Sequence, residues 1–383
     1  MNNNKDKLAV TCCQEGAQDC KQGPKQHGKK EKEMSVTGFS WQRGIINTPA
    51  GPAARIATVL SLRDKLGGCK VRWNLGRMNY IIPPGLYAVG EPDHNSPVLV
   101  SGNYKLSFDT LRRELSGLHL WLMIIDTRGI NVWCAAGKGT FSTEEVVQRI
   151  VKVRLKDIVS HREIILPQLA GPGVAAHEVL KQSGFKVLYG PVQARHIPAF
   201  LQMECRATPR MRQVTFSLLE RLRVVPMELV VLLKPVLVIL TALFLFNALT
   251  LHLAGIVLAP TVLFRHTMAN FFPYFGAILM GTIMVPVLLP YIPGRAFSWK
   301  GYLMGVLWTL VFILFIASGT GSIKAAAYFL ILPVITAFLS LNFTGASTYT
   351  SLSGVIKEMN IALPAMAVSI SLGIVGLIVS SFI

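Results

Sequence analysis

Two textures divide the chain. Up to about residue 226, apolar positions come in short runs broken by charge, Gly and Pro; beyond it, long stretches carry almost no charge. In the first part, residues 118–126 are apolar but for His119 and end at Asp126. A strand reads this way when both faces of its sheet are covered. Ser142 and Glu145 have capping-box spacing and predict a helix that turns Val146, Val147, Ile150 and Val151 toward a core. Residues 163–166 and 185–189 predict two further short strands, the second ending at Gly190-Pro191. Between them, Gly171-Pro172-Gly173 turns the chain into a helix from about Val174 to Gln182, stopped by Gly184. Strands alternating with helices predict an α/β, Rossmann-like head with a mostly parallel sheet, whose ligands sit beyond the carboxyl ends of its strands. The segments after Asp126, Leu166 and Tyr189 converge on that edge.

In the second part, five apolar segments are long enough to cross roughly 30 Å of hydrocarbon, near residues 229–248, 268–290, 301–318, 325–341 and 361–382. Residues 251–263 are apolar but short, bounded by Pro260 and Arg265-His266, and predict an interfacial or re-entrant piece. The expected organisation is a tail over 1–38, a head over 39–215 and an α-helical transmembrane domain of about five spans over 216–383.

Charge orients this layout. The formal net charge is +18, from 38 Lys+Arg against 20 Asp+Glu. Arg206, Arg210, Arg212, Arg221 and Arg223 precede the first span, Arg295, Lys300 and Lys357 fall on the same side, and Arg265 and Lys324 fall opposite. The positive-inside rule then predicts a multi-pass protein of the cytoplasmic membrane with its head in the cytoplasm. Lys234, one turn into the first span, can snorkel to the same interface. No nucleic-acid motif accompanies the basic balance, which is assigned to membrane lipid. The tail is polar and lysine-rich, reads as disordered, and shows no secretory leader. Its Cys12, Cys13 and Cys20 read either as incidental or as soft-metal ligands. A reducing compartment favours thiols over disulfides. No run of cysteines is spaced for an iron–sulfur cluster, so electrons must come from elsewhere.

The chemically informative segment is Asn131-Val132-Trp133-Cys134-Ala135-Ala136-Gly137-Lys138-Gly139-Thr140, directly after the buried strand. A phosphate loop would need Gly at Val132 and Ser or Thr at Gly139, and a thioredoxin-type site would need a second cysteine three residues on. Both readings fail. What remains is a lone cysteine in a small-residue turn or short helix. Ala135, Ala136 and Gly137 leave room for a broad flat ligand, while nearby amides and Lys138 would favour a thiolate. On this chemistry alone, a structural buried cysteine is the commoner case.

Residues Asn131 to Lys138 resemble the cap-helix signature of the mercury-methylating corrinoid proteins of anaerobic microbes, the HgcA family. Gly76-Arg77-Met78-Asn79-Tyr80, Pro84-Gly85-Leu86-Tyr87-Ala88-Val89-Gly90 and Asn103-Tyr104-Lys105-Leu106-Ser107-Phe108-Asp109 are similar to other segments of that family. The five-span second part also matches it. Asn342-Phe343-Thr344-Gly345-Ala346-Ser347-Thr348 resembles a segment of carbonyl-pathway corrinoid iron–sulfur proteins, whereas Ser101-Gly102 departs from an expected Thr-Ala.

The resemblance implies a cobalamin-type corrinoid in the head, with Cys134 as the catalytic group and lower axial ligand of cobalt. It implies that Asn131 and Lys138 hold the cap by hydrogen bonds to backbone or cofactor, with Val132 in the same cap. Trp133 shields or orients the cap, or is core. Ala135, Ala136 and Gly137 provide clearance. Gly171, Pro172, Gly190, Pro191, Val192 and Gln193 are candidates for the nucleotide tail. A histidine ligand is an unsuited alternative: none of the eight histidines lies in an Asp-x-His-x-x-Gly motif, and His161, His177 and His196 lack the aspartate two residues before. A soft thiolate trans to a methyl group favours its release as a carbanion equivalent, which Hg(II) accepts to give methylmercury. The implied partners are Hg(II), a ferredoxin-like iron–sulfur protein (HgcB-like) as electron donor, and methyl-folate or a methyl donor protein. Two other readings stay open: a corrinoid methyl carrier for another acceptor in carbon metabolism, and a transporter with a regulatory head. For transport, Pro273, Pro286 and Pro333 are candidate helix breaks. Cys205 reads as an Hg(II) relay or as a buried structural thiol.

Overall fold

The computed structural model of the chain describes residues 39–253, 255, 259–346 and 352–380. Cys12, Cys13 and Cys20, and Ser347-Thr348, lie outside these. Among the described residues the chain divides into two compact units, one ending at Thr215 and the other beginning at Phe216.

The first unit runs β1 (Gln42–Thr48), β2 (Gly51–Ile56), α1 (Leu62–Arg72), β3 (Gly85–Val89), β4 (Val98–Gly102), α2 (Lys105–Glu114), β5 (Leu120–Ile125) and α3 (Val132–Gly137). It continues through α4 (Thr143–Lys152), α5 (Leu155–Ile158), β6 (Glu163–Leu166), α6 (Ala176–Ser183), β7 (Lys186–Tyr189), α7 (Ile197–Gln202) and α8 (Pro209–Arg212). The strands form one seven-stranded sheet in the order β1-β2-β3-β5-β4-β6-β7. The sheet is mixed: β5-β4-β6-β7 are parallel, whereas β1 is antiparallel to β2 and β3 to β5. The expectation of a mostly parallel sheet therefore holds for β5-β4-β6-β7 and for β2 beside β3, and fails where β1 meets β2 and where β3 meets β5.

Both faces of the sheet are covered, and β5 shows why its run is apolar throughout. Trp121, Met123 and Ile125 enter the core under α3, α4 and α6; Leu120, Leu122 and Ile124 enter the one under α2 and α7. Period-two alternation between two cores leaves no solvent side for a polar residue.

The helix predicted from Ser142 forms, but the capping box is half made. The Ser142 hydroxyl accepts from Glu145 N–H (3.3 Å), while the Glu145 carboxylate turns away to accept from Asp126 N–H (2.9 Å). The next predicted helix starts at Ala176 instead of Val174, because Ala175 N–H is held by the Thr143 hydroxyl (2.9 Å) and stays extended.

The second unit is helical: α9 (Leu218–Leu222), α10 (Val225–Leu253), α11 (Pro260–Leu279), α12 (Val285–Leu288), α13 (Phe297–Val311), α14 (Ser322–Asn342) and α15 (Leu352–Val379). A π-helical turn, Met280–Met284, joins α11 to α12, and another, Phe312–Ile316, extends α13. Among the described residues, five helical stretches are long and apolar enough to cross a membrane, matching the number of predicted spans. The described ends of the predicted re-entrant piece instead close α10 and open α11. Pro273 and Pro333 lie inside continuous helices. Helices approach closely where side chains are absent: a Cβ on Gly301 would lie 2.7 Å from Ala337 Cα, and one on Gly305 would strike Pro333 Cα. Close backbone contact of this kind maximises dispersion where lipid removes the hydrophobic drive.

Candidate functional site

Because β4, β5, β6 and β7 are parallel, Gly102, Ile125, Leu166 and Tyr189 end on one edge. The chain leaves β4 for β5 through α2 and leaves β6 for β7 through α6, on the opposite face. The strand order thus reverses between β4 and β6, the place where such sheets open a crevice.

Asn103, just past β4 and 3% exposed, organises this edge. Its Oδ1 accepts from Thr127 N–H (3.1 Å), the Thr127 hydroxyl (2.9 Å) and Gly129 N–H (3.0 Å), and its amide donates to Asp126 Oδ1 (2.9 Å). One buried amide so fixes the loop that leads from β5 into α3. Gly129 has φ +72°, and a Cβ there would lie 2.6 Å from Ile81 Cγ2, so this turn has no room for a side chain. A Cβ at Gly102 would come within 2.8 Å of Thr127, which accounts for glycine where alanine was expected.

The six-residue α3 carries Cys134. Asn131 is its N-cap, its Oδ1 accepting from Cys134 N–H at 2.9 Å, so the backbone is the partner of this side chain. Lys138 closes the helix, donating its N–H to Cys134 O (3.0 Å), and Thr140 and Phe141 N–H converge on Ala135 O (2.9 and 3.1 Å). Ala135 and Ala136 are buried in the core, with Val132 packed against it. Their small size serves this seat: a Cβ on Gly173 would strike Phe141 O and lie 3.0 Å from Ala136 Cα. Clearance toward solvent falls to Gly137, where an added Cβ would meet nothing within 4 Å. Trp133, Gly137 and Lys138 are exposed and Cys134 is half-buried, so Trp133 is not core. Cys134 thus stands half-buried past the carboxyl end of β5, next to an exposed glycine with open space beside it. This arrangement fits a large planar group bearing a metal that accepts sulfur.

Gly171 and Pro172 follow the short helical turn Gln168–Ala170, which packs against α3, so they lie beside the Cys134 helix. Gly190 N–H donates to Leu166 O (2.8 Å), and Val192 N–H to Met211 O (2.9 Å). The Gln193 amide donates to the Thr215 hydroxyl. The 190–193 turn is thereby tied to the end of β6 and to the segment around α8. Cys205 is elsewhere: it packs in the core under α2 and α7, near Glu163 at the amino end of β6. Burial and that carboxylate push its thiol up, which suits a structural thiol and opposes a relay to Cys134.

The segments around Tyr80 and Lys105 meet in a buried ionic network. Lys105 Nζ bonds Asp64 Oδ1 (2.8 Å) and Asp109 Oδ2 (2.7 Å); Arg112 Nη2 bonds Asp64 Oδ2 (2.8 Å) and Asp109 Oδ1 (2.9 Å). Arg112 is fully buried, and Tyr80 OH donates to Asp109 Oδ2 at 3.3 Å. Burial alone would raise the Asp64 carboxyl, but hydrogen bonds from Lys105, Ser61 and Arg112 override it and hold the group well below the usual carboxylate range. Charges of two signs balance, so the network locks α1 to α2 without a net buried charge. Among the described residues, no three His, Cys, Asp or Glu side chains are grouped to hold a metal ion.

Residues 79–201, about a third of the chain, match the family described as CO dehydrogenase/acetyl-CoA synthase delta subunit. Related proteins include the acetyl-CoA decarbonylase/synthase complex subunit gamma of Methanopyrus kandleri, 34% identical over 32% of this chain and 27% of the relative. Subunit gamma 2 of Methanosarcina thermophila is 36% identical over 30% of this chain and 25% of the relative. Subunit gamma of Methanothermobacter thermautotrophicus is 30% identical over 45% of this chain and 36% of the relative. The chain spans about a quarter to a third of the length of these relatives. The family match covers the edge from Asn103 to the 190–193 turn and stops before the helical unit.

Proposed function

We propose that the chain is a membrane-anchored corrinoid protein that carries methyl groups, with Cys134 as the residue that would hold the cobalt. The observation that carries this reading is α3: a half-buried thiol beside bare Gly137, on a helix fixed by Asn131 and Gly173, at the crevice edge of the parallel strands. The similarity to CO dehydrogenase/acetyl-CoA synthase subunits supports a corrinoid cofactor and a role in methyl transfer. Bound there, a corrinoid supplies a cobalt centre able to accept and release a methyl group. The chain's own contributions are local. Cys134 would donate sulfur to the metal, Asn131 fixes the Cys134 backbone, and Gly137 and the exposed Trp133 would shape the surface offered to the ring. Gly171, Pro172 and the turn Gly190-Pro191-Val192-Gln193, which follow the ends of β6 and β7, would take the nucleotide tail.

For the acceptor, a thiolate from Cys134 would favour Hg(II), because a soft sulfur donor to the metal would suit delivery of a methyl group to a soft electrophile. The relatives favour the second reading, transfer to an acceptor in carbon metabolism, since their printed names place them in an acetyl-CoA decarbonylase/synthase complex. In either case a ferredoxin-like iron–sulfur protein supplies electrons, and a methyl-folate or methyl donor protein supplies the group. Anaerobic purification and reconstitution should give one corrinoid per chain with a cobalt–sulfur absorption band. Cys134→Ala should remove that band while circular dichroism stays unchanged; a persistent band would exclude Cys134 as ligand. Methylmercury formed from Hg(II) by the wild type and not by the variant selects the first acceptor. Methyl loss only to a protein acceptor selects the second.

A further inference from the structure

α1 is turned inside out. Its buried face carries Asp64, Gly68 and Val71, with Asp64 in the ionic network with Lys105 and Arg112. Two glycines let the helix come close: a Cβ on Gly67 would lie 2.6 Å from Tyr80 Oη, and one on Gly68 3.3 Å from Leu106 Cδ1. The outer face carries Leu62, Leu66, Cys69 and Trp73, whose spacing of four, three and four stacks them in one stripe. Trp73 closes the helix, donating its N–H to Cys69 O at 3.3 Å, and so stays in register with the others. Leu62 is 72% exposed, Leu66 62% and Trp73 44%, and Cys69 is exposed beside them.

Rolling the helix to bury its leucines is closed, because that would strip Asp64 from its two cations and leave them buried with one anion fewer. The stripe is also edged by charge of a single sign. At roughly 100° per residue, Arg63 and Lys70 lie along one side of it and Lys65 and Arg72 along the other. Residues 59–81 hold five Lys and Arg against one acid, Asp64, which the network already neutralises. An apolar stripe with cations on both edges matches a surface that is apolar below and negative above. Lysine and arginine stems lie along such a boundary while their heads reach the anions, and a tryptophan ring settles at it. A second copy of the chain would set like charge against like. A bilayer, by contrast, is at hand: the same chain holds five helices long and apolar enough to cross one, which makes the contact intramolecular.

We propose that α1 docks on the surface of an anionic phospholipid bilayer, with Leu62, Leu66 and Trp73 at the apolar boundary and Arg63, Lys65 and Lys70 on lipid phosphates. This rests on the membrane anchoring in the function proposed above and is independent of the corrinoid.

The test is photo-crosslinking of the full chain in nanodiscs of phosphatidylcholine with or without phosphatidylglycerol, the adducts being identified by mass spectrometry. The probe is Leu66→p-benzoylphenylalanine, and the control is the same replacement at Val151, an exposed residue of α4. A phospholipid adduct at position 66 that depends on phosphatidylglycerol and exceeds the one at 151 is the expected result. Lys65→Gln/Lys70→Gln, which removes one cation from each edge at exposed positions, should lower the docked-to-free ratio read from that adduct ~30-fold. No lipid adduct at 66, equal adducts at 66 and 151, an adduct that ignores phosphatidylglycerol, or one to a second copy of the chain would each overturn docking through α1. A chain that does not enter nanodiscs at all overturns the anchoring and the docking with it, whereas a chain that enters without the adduct overturns the docking alone.

Discussion

Cys134 stands out in the sequence because small residues surround it, but its neighbours divide that work differently from their order in the chain. Ala135 and Ala136 face the core, and Gly137 faces out. Asn131 was legible as a holder of the cap, and its partner proved to be the Cys134 amide itself. Asn131→Ala should cost ~1 kcal/mol as a lost N-cap and weaken corrinoid binding, whereas Asn131→Ser should retain most of both; denaturant unfolding and cofactor titration read the two effects. Gly173→Ala should cost ~1–3 kcal/mol by overpacking, because the new methyl lands on the backbone of Phe141 and Ala136. A Gly173→Ala chain with wild-type stability and corrinoid affinity would show that α3 is not seated there. Asn103 escaped notice as a site residue for a physical reason. Its partners lie 23 to 26 residues away, and only the adjacency of β4 and β5 brings them together.

Among the elements, β5, β6 and β7 were readable because each is a short apolar run closed by turn residues. The β1–β2 hairpin and the antiparallel seating of β3 on β5 were not, since β3 is a five-residue strand whose direction is set by its neighbour. The ionic network between α1 and α2 was equally hidden: Asp64 and Lys105 are 41 residues apart. Its pH dependence has a definite sign. Asp64 has a folded-state pKa below its unfolded one, so its contribution is present above the unfolded value near 4 and is lost as pH falls through the folded value. Lys105 is shifted by burial, which lowers it, and by Asp109 and Asp64, which prevail and raise it. That contribution is full below the unfolded value near 10.4 and is lost as pH rises through the folded one. Melting temperatures of Asp64→Asn should therefore be lower than wild type at neutral pH and converge with it in acid. Arg112→Met, which leaves both aspartates buried with one cation fewer, should cost ~3–5 kcal/mol; a change below 1 kcal/mol would mean that the network is solvated.

At the scale of the whole molecule, the contrast between charged and uncharged halves marked five apolar spans without help from tertiary structure, because spans are set by length and composition alone. How the helices meet was not written in that contrast. The close approaches at Gly301 and Gly305 depend on which faces pair, and apolar sequence is nearly silent about faces. If the five helices cross a bilayer, the chain should stay with membranes through alkaline carbonate washing and be released by detergent. Gly305→Leu should then lower the melting temperature in detergent by separating α13 from α14. A wash that frees the chain would instead assign these helices to an interior.

The loop before α3 is clamped by Asn103, the helix is capped at both ends, and the turn after it is held through Ser142 and Thr143. Cys134 is thus immobilised by folding, ahead of any encounter with a cofactor. Association should accordingly be a single fast phase whose rate tracks corrinoid concentration, with no slow ordering step, and amide exchange at Cys134 should be slow before the cofactor arrives. If Cys134 ligates the metal as proposed, exchanging the sulfur for imidazole in Cys134→His would change the metal's electronic environment on a scaffold already fixed by folding, making this helix a place to vary ligand chemistry.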